Sequence, residues 1–270
     1  MAPSRRALLR ATVLLLIGSV ALPAWPGSRR RSAGSGGVPR PAHRILFIGN
    51  SLTDANDLPA MVCAMARFRG FTSTCESVTF GGFDLRDHLQ EGSAAQKLAA
   101  ERWSIVVLQQ GPSSLSDSRV LLRQWTAQFD PKIRAAGARP ALYAVWPAEE
   151  NFDSFARVGE SYRLAAQDVD GLLFPAGSAW LAAWKLDAGL QLYGPDRFHP
   201  SRLGTYLAAL VVHRCIWGEL PDAFADPKTA QSAAGGSLGV DGYRLQVLIK
   251  AAQEPSCDPF VTPAAQTPND

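Results

Sequence analysis

The amino-acid sequence predicts an α/β protein: one doubly wound domain around a parallel sheet of about five strands. Three observations lead there. From Arg44 onward, short β-branched and aromatic runs alternate with amphipathic stretches of ten or more residues, and parallel strands need helical crossovers of that length. The 270 residues are 47% hydrophobic and 19% charged, enough apolar material to bury a sizeable core. No internal repeat is visible, and the length beyond Arg44 suits one domain, placed at 44–254.

The elements follow in order. Ile45–Ile48, closed by Gly49, reads as a buried strand. A helix comes next, because Asn56 and Asp57 are caps, Pro59 suits a first turn, and Leu58, Met61, Val62, Met65 and Ala66 recur at helical spacing until Gly70. Residues 71–80 read as a strand, 85–101 as helix, and 104–109 as a strand of Ile, Val and Leu. Then 120–136 is predicted helical, 141–146 a strand, 152–168 a helix, and 172–175 a last short strand. Helices at 202–217 and 239–252 close the domain, and residues 255–270, with four prolines, are expected to be loose.

The first 43 residues read differently. Arg5 and Arg6 precede an apolar run from Ala11 to Ala21, with small residues at Ser19, Ala21 and Ala24, the pattern of an export signal over residues 1–25. Ser-Arg-Arg-Ala-Leu-Leu at 4–9 resembles a twin-arginine signal, and stretching the run to Trp25 gives the alternative of a retained membrane anchor. Residues 26–43, rich in Pro, Gly, Ser and Arg, read as a flexible linker. Seven arginines and no acid lie in 1–43, so the remainder holds 20 basic and 24 acidic residues, a net charge of −4. That argues against a nucleic-acid partner. The expected location is periplasmic or extracellular, with membrane contact only through a retained anchor.

Export permits disulfides. Cys63–Cys75 and Cys215–Cys257 is the pairing with the shortest loops, free buried thiols being the alternative, and no spacing suits a zinc site.

Ligands in open parallel sheets bind outside the carboxyl ends of the strands, and two reactive segments fall at such places. Gly49-Asn50-Ser51-Leu52-Thr53 puts Ser51 on the turn after the first strand, where it is either a nucleophile or a turn-capping hydroxyl. Asp196-Arg197-Phe198-His199-Pro200 precedes a helix that Ser201 can cap. There Asp196 can hold one ring nitrogen of His199 and leave the other to take a proton from a serine, a surface ion pair being the plainer reading.

Together these segments resemble the SGNH (GDSL-type) hydrolases, esterases and related acyl hydrolases with a three-layer α/β/α flavodoxin-like fold. The resemblance runs from about Arg44 to Trp217. It implies Ser51 as nucleophile and first oxyanion donor, His199 as base, Asp196 as its orienter, and Gly82, after the second strand, as a second oxyanion donor. Asn50 stands where the family usually has aspartate. After the third strand the family's asparagine donor is missing; Gln110 takes its place, with Gln109 and Ser113 as the alternatives. Asn50 and Trp146 are the substrate-binding candidates. Phe83, Trp146 and Trp180, expected on crevice loops, suit an acetylated glycan.

The resulting expectation is an exported serine esterase acting on a small-molecule or glycan ester, with no metal or cofactor. The competing readings are a non-catalytic glycan-binding module of the same fold and a flavodoxin-like binder of a phosphorylated ligand. Away from the motifs, His88 reads as a residue on a solvated helix face, His213 as a hydrogen-bonded core histidine, and Glu149 and Glu150 as solvated loop carboxylates.

Overall fold

The computed structural model describes residues 42–261; the expected export signal or anchor and nearly all of the linker lie outside them, as does the chain after Val261. Five strands, β1 (His43–Gly49), β2 (Ser73–Thr79), β3 (Ile105–Leu108), β4 (Arg139–Tyr143) and β5 (Leu172–Phe174), form one sheet in the order β2-β1-β3-β4-β5, and every pairing is parallel. Ile45, Leu46, Phe47 and Ile48 are all fully buried. A central parallel strand is covered on both faces, so it shows a continuous apolar run and no alternation.

Among the described residues ten α-helices accompany the sheet: α1 (Ser51–Asp54), α2 (Leu58–Phe68), α3 (Leu85–Glu91), α4 (Ser93–Ala100), α5 (Ser116–Ala135), α6 (Phe155–Asp168), α7 (Ala176–Leu186), α8 (Arg202–Trp217), α9 (Pro227–Ala233) and α10 (Gly242–Gln253). This is the α/β fold read from the sequence, with differences of detail. The single helix expected over 85–101 is two, because Gly92 turns left-handed at φ +94° and ends α3. Helices α1, α7 and α9 were not expected. The stretch after Cys257 was expected to be loose but is fastened as far as it is described: Cys257 is bonded to Cys215, Leu173 N–H donates to Cys257 O, and Arg163 and Gln167 both donate to Pro259 O.

The second disulfide joins Cys63 on α2 to Cys75 on β2. No helix among the described residues is long and apolar enough to cross a membrane.

Helix α8 is buried on every side from Leu203 to His213, as befits a helix within a core rather than on its surface. His213 was expected to be hydrogen-bonded there. Instead its ring packs against Trp217 and Phe224, and neither ring nitrogen meets a partner among the described residues. Burial, with the Arg69 charge adding to it, pushes its pKa down from 6.5 to about 3. In the unfolded chain the ring takes a proton first. His213 therefore contributes stability above pH 6.5 that is lost as the pH falls toward 3, at up to about 1.4 kcal/mol per pH unit. Urea unfolding at pH 7 and pH 5 is expected to show the wild type losing about 2 kcal/mol more than His213→Leu between those two values; equal losses would refute this.

Candidate active site

The carboxyl ends of β2, β1 and β3 lie side by side, and the turn that follows β1 holds Ser51. Asn50 caps α1: its Oδ1 accepts the Leu52 N–H at 3.1 Å. Ser51 Oγ lies 2.8 Å from His199 Nε2, across 148 residues of chain. His199 Nδ1 lies 2.5 Å from Asp196 Oδ2. An ionised carboxylate only accepts, so Nδ1 carries the ring proton and Nε2 is left to accept the serine hydroxyl. The His199 ring N–H and then the Phe198 amide N–H hold Asp196 below the ordinary aspartate range. Its Oδ1 accepts the main-chain N–H groups of Phe198 (3.1 Å) and His199 (2.9 Å).

The loop with Asp196 and His199 is exposed, so its geometry depends on what anchors it. Within the loop, Gly194 N–H donates to His199 O at 2.7 Å and Arg197 N–H to Gly194 O at 3.0 Å. From the β4 exit, Trp146 Nε1 donates to Phe198 O at 3.0 Å and Glu149 N–H to Arg197 O at 2.9 Å. The Glu149 carboxylate also receives Arg197 Nε at 2.5 Å, which lowers the Glu149 pKa. From the other side Asn56 Nδ2 donates to Pro200 O (3.1 Å) and Thr205 Oγ1 (2.9 Å). Arg197 itself sits at φ +60°, a conformation costly for a side chain of that size and tolerated where surrounding bonds over-determine it.

The structure brings Ser51, His199 and Asp196 together and sorts the other expected residues. Trp146, expected to bind substrate, is fully buried, and so is Trp180. Their rings stack at 3.7 Å inside the core, where neither meets a sugar. Asn50 is also buried, and both ends of its amide are used within the fold, Oδ1 as above and Nδ2 on Phe83 O at 3.0 Å.

Among the oxyanion candidates, Gly82 is exposed at φ +77°, which requires glycine. Gln109 is fully buried with its amide spent: Oε1 accepts from Asn50 N (2.9 Å) and Thr53 Oγ1 (2.7 Å), and Nε2 donates to Asn50 Oδ1 (2.8 Å) and Gln110 O (2.5 Å). Ser113 has its hydroxyl proton on Gly111 O and its oxygen on Gln110 Nε2. Only Gln110, among the three, keeps an amide hydrogen that the described residues do not engage.

Three contributors went unforeseen. His88 was expected on a solvated face, yet it is fully buried with Nε2 2.8 Å from Gly49 O. A carbonyl accepts, so Nε2 bears the proton, and burial lowers the ring's pKa and keeps it neutral. Tyr162 Oη lies against Gln110 O and N. Glu149 is an ion-pair partner of the histidine loop and not a free carboxylate. The one foretelling signal was their position, since His88 and Glu149 follow the second and fourth strands. Among the described residues no three His, Cys, Asp or Glu side chains group as metal ligands do.

Comparison with solved structures accords with this fold. A protein of Slackia heliotrinireducens assigned to the SGNH hydrolases is 31% identical over 65% of this chain and 100% of its own, with a TM-score of 0.55. A DUF4886 family protein from Bacteroides uniformis shares the fold at 19% identity, 78% and 93% coverage and a TM-score of 0.61. TesA does so at 20% identity, 64% and 98% coverage and a TM-score of 0.52. No family model matches the chain, and no curated protein does. An α/β fold with a five-stranded parallel sheet and a serine turn at its carboxyl edge defines a hydrolase class. The chain belongs to the SGNH hydrolase family.

Asn50 in place of the family's usual aspartate has a local cause. A carboxylate at position 50 would set two acceptors, its own oxygen and Phe83 O, against each other where Nδ2 now donates. Asn50→Asp is expected to lower unfolding free energy at pH 7 by about 1–3 kcal/mol. The deficit relative to wild type should shrink as the pH drops through the carboxyl's titration, since the protonated acid donates again. Urea titrations of both proteins at several pH values check the sign.

Proposed function

We propose that this chain is a serine ester hydrolase working through an acyl-enzyme, and the observation that supports it best is the 2.8 Å approach of Ser51 Oγ to His199 Nε2. In this reading Ser51 Oγ attacks the ester carbonyl carbon as its proton passes to His199 Nε2, giving a tetrahedral oxyanion and an imidazolium steadied by Asp196. The C–O bond to the alcohol breaks, and the His199 proton leaves with the alkoxide. Water then attacks the acyl-serine, again through His199, and releases the acid. The oxyanion is received by the Ser51 and Gly82 N–H groups and the free Gln110 Nε2–H.

An acetylated glycan becomes one substrate to screen among short acyl esters. The tryptophans that suggested it lie in the core, and Phe80 and the half-buried Phe83 are the aromatic side chains left on the loop after β2. Export is part of the proposal, supported by the charged and apolar opening of the sequence and by two disulfides, which suit an oxidising compartment.

Ser51→Ala should abolish hydrolysis of p-nitrophenyl acetate, a fall of about a thousandfold or more, and should abolish labelling by a fluorophosphonate. Its melting temperature should stay near wild type. A wild-type protein that neither turns over esters nor takes the label would end the ester-hydrolase reading.

A further inference from the structure

Gln109 was one of the alternatives for the oxyanion donor that the family resemblance calls for, yet the four hydrogen bonds of its carboxamide all stay inside the protein. Their polarity is unambiguous. The end facing Asn50 N–H must be oxygen, because a main-chain amide only donates; the end facing Gln110 O must be nitrogen, because a carbonyl only accepts. The same reasoning orients Asn50, whose Oδ1 meets Leu52 N–H and whose Nδ2 meets Phe83 O. Two interlocked amides thus join the exits of β2 (Phe83), β1 (Asn50) and β3 (Gln110). A second observation shows that space was made for this. A Cβ placed on Gly49 would lie 2.5 Å from Gln109 Oε1 and 2.6 Å from Thr53 Oγ1, so the glycine before the serine turn is needed to admit the Gln109 side chain.

We propose that Gln109 is a positioning residue for Ser51, fixing the serine turn and the Gly82 loop relative to each other through Asn50, and that it gives no hydrogen bond to the oxyanion. This rests on the ester-hydrolase reading for its catalytic consequence, though not for its structural one. Removing the amide leaves Asn50 N–H without its acceptor and Asn50 Oδ1 with the Leu52 N–H alone, and Ser51 loses its register with Gly82 and His199 while the outer walls of the crevice stay as they were. The loss therefore falls on turnover and not on substrate capture.

Two variants test it: Gln109→Met, which keeps the length and removes the polar end, and Gln109→Glu, which keeps the acceptor oxygen and replaces the donor nitrogen with a second acceptor. Amide hydrogen exchange over residues 49–54 is read first, because it needs no activity. Gln109→Met should accelerate exchange at Asn50. It should also lower kcat on p-nitrophenyl acetate by about ten- to a hundredfold with KM within about twofold. Combining Gln109→Met with Asn50→Ala should cost little more than the worse single change, since both break one linkage. The kcat of Gln109→Glu relative to wild type should rise as the pH falls, when the protonated carboxyl can donate toward Asn50.

Unchanged exchange overturns the proposal, and so does a kcat loss that multiplies with that of Asn50→Ala. If Gln109→Met does not fold, the pH trend of Gln109→Glu and its exchange decide instead. A wild type inactive on every ester, with exchange altered as expected, defeats the functional reading and leaves the positioning role standing.

Discussion

Five parallel strands end on one edge, and every polar group there must find a partner without a further strand to supply it. At the β1 and β3 exits that demand is met by side chains: the Gln109 amide takes the Asn50 N–H and gives to the Gln110 carbonyl, and the His88 imidazole gives to the Gly49 carbonyl. An orphaned buried amide or carbonyl costs about 1–3 kcal/mol. The serine turn is therefore held by bonds that the fold needs on its own account. Ser51 owes its fixed place to this satisfaction of the strand ends as much as to its own backbone.

The histidine side of the site is built on an opposite plan. Asp196 and His199 stand on an exposed loop, and such loops are mobile unless tied down. Here the ties come from three directions: the loop's own turn, the β4 exit through Trp146 and Glu149, and the α1–α2 connection through Asn56. Trp146 links the two halves of the design. Its ring is part of the core, stacked on Trp180, while its one polar atom reaches out to hold Phe198 O.

Much of this was legible in the sequence, and for physical reasons. The strands announced themselves because runs such as Ile45–Ile48 are buried on both faces. Ser51, His199 and Asp196 stood out because turn chemistry around Gly49 and Pro200 is local. Helix α7 was hidden because Pro175 and Gly177 at its start are poor helix formers, while the apolar face that stabilises it is supplied by α8 and α10. Trp146 and Trp180 were expected on crevice loops, but Trp180 lies within α7, and the burial of both depends on partners far along the chain. The role of Gln109 was out of reach for the same reason: its amide is matched to groups 59 residues away at Asn50, and no local period records such a match. Asn56, read only as a cap, proved to be the anchor of Pro200 across 144 residues.

The two disulfides share a placement at the borders of the sheet. β2 and β5 are the borders of the sheet, where unpaired main-chain groups invite strands from other molecules. Cys63–Cys75 staples one border strand to the helix packed over it. Cys215–Cys257 draws the final segment along the other, where Cys257 O takes the Leu173 N–H that would otherwise be open. A cross-link thus sits at each margin of the sheet, and at the β5 margin it holds in place a segment whose carbonyl occupies a main-chain donor that a strand from another molecule could pair.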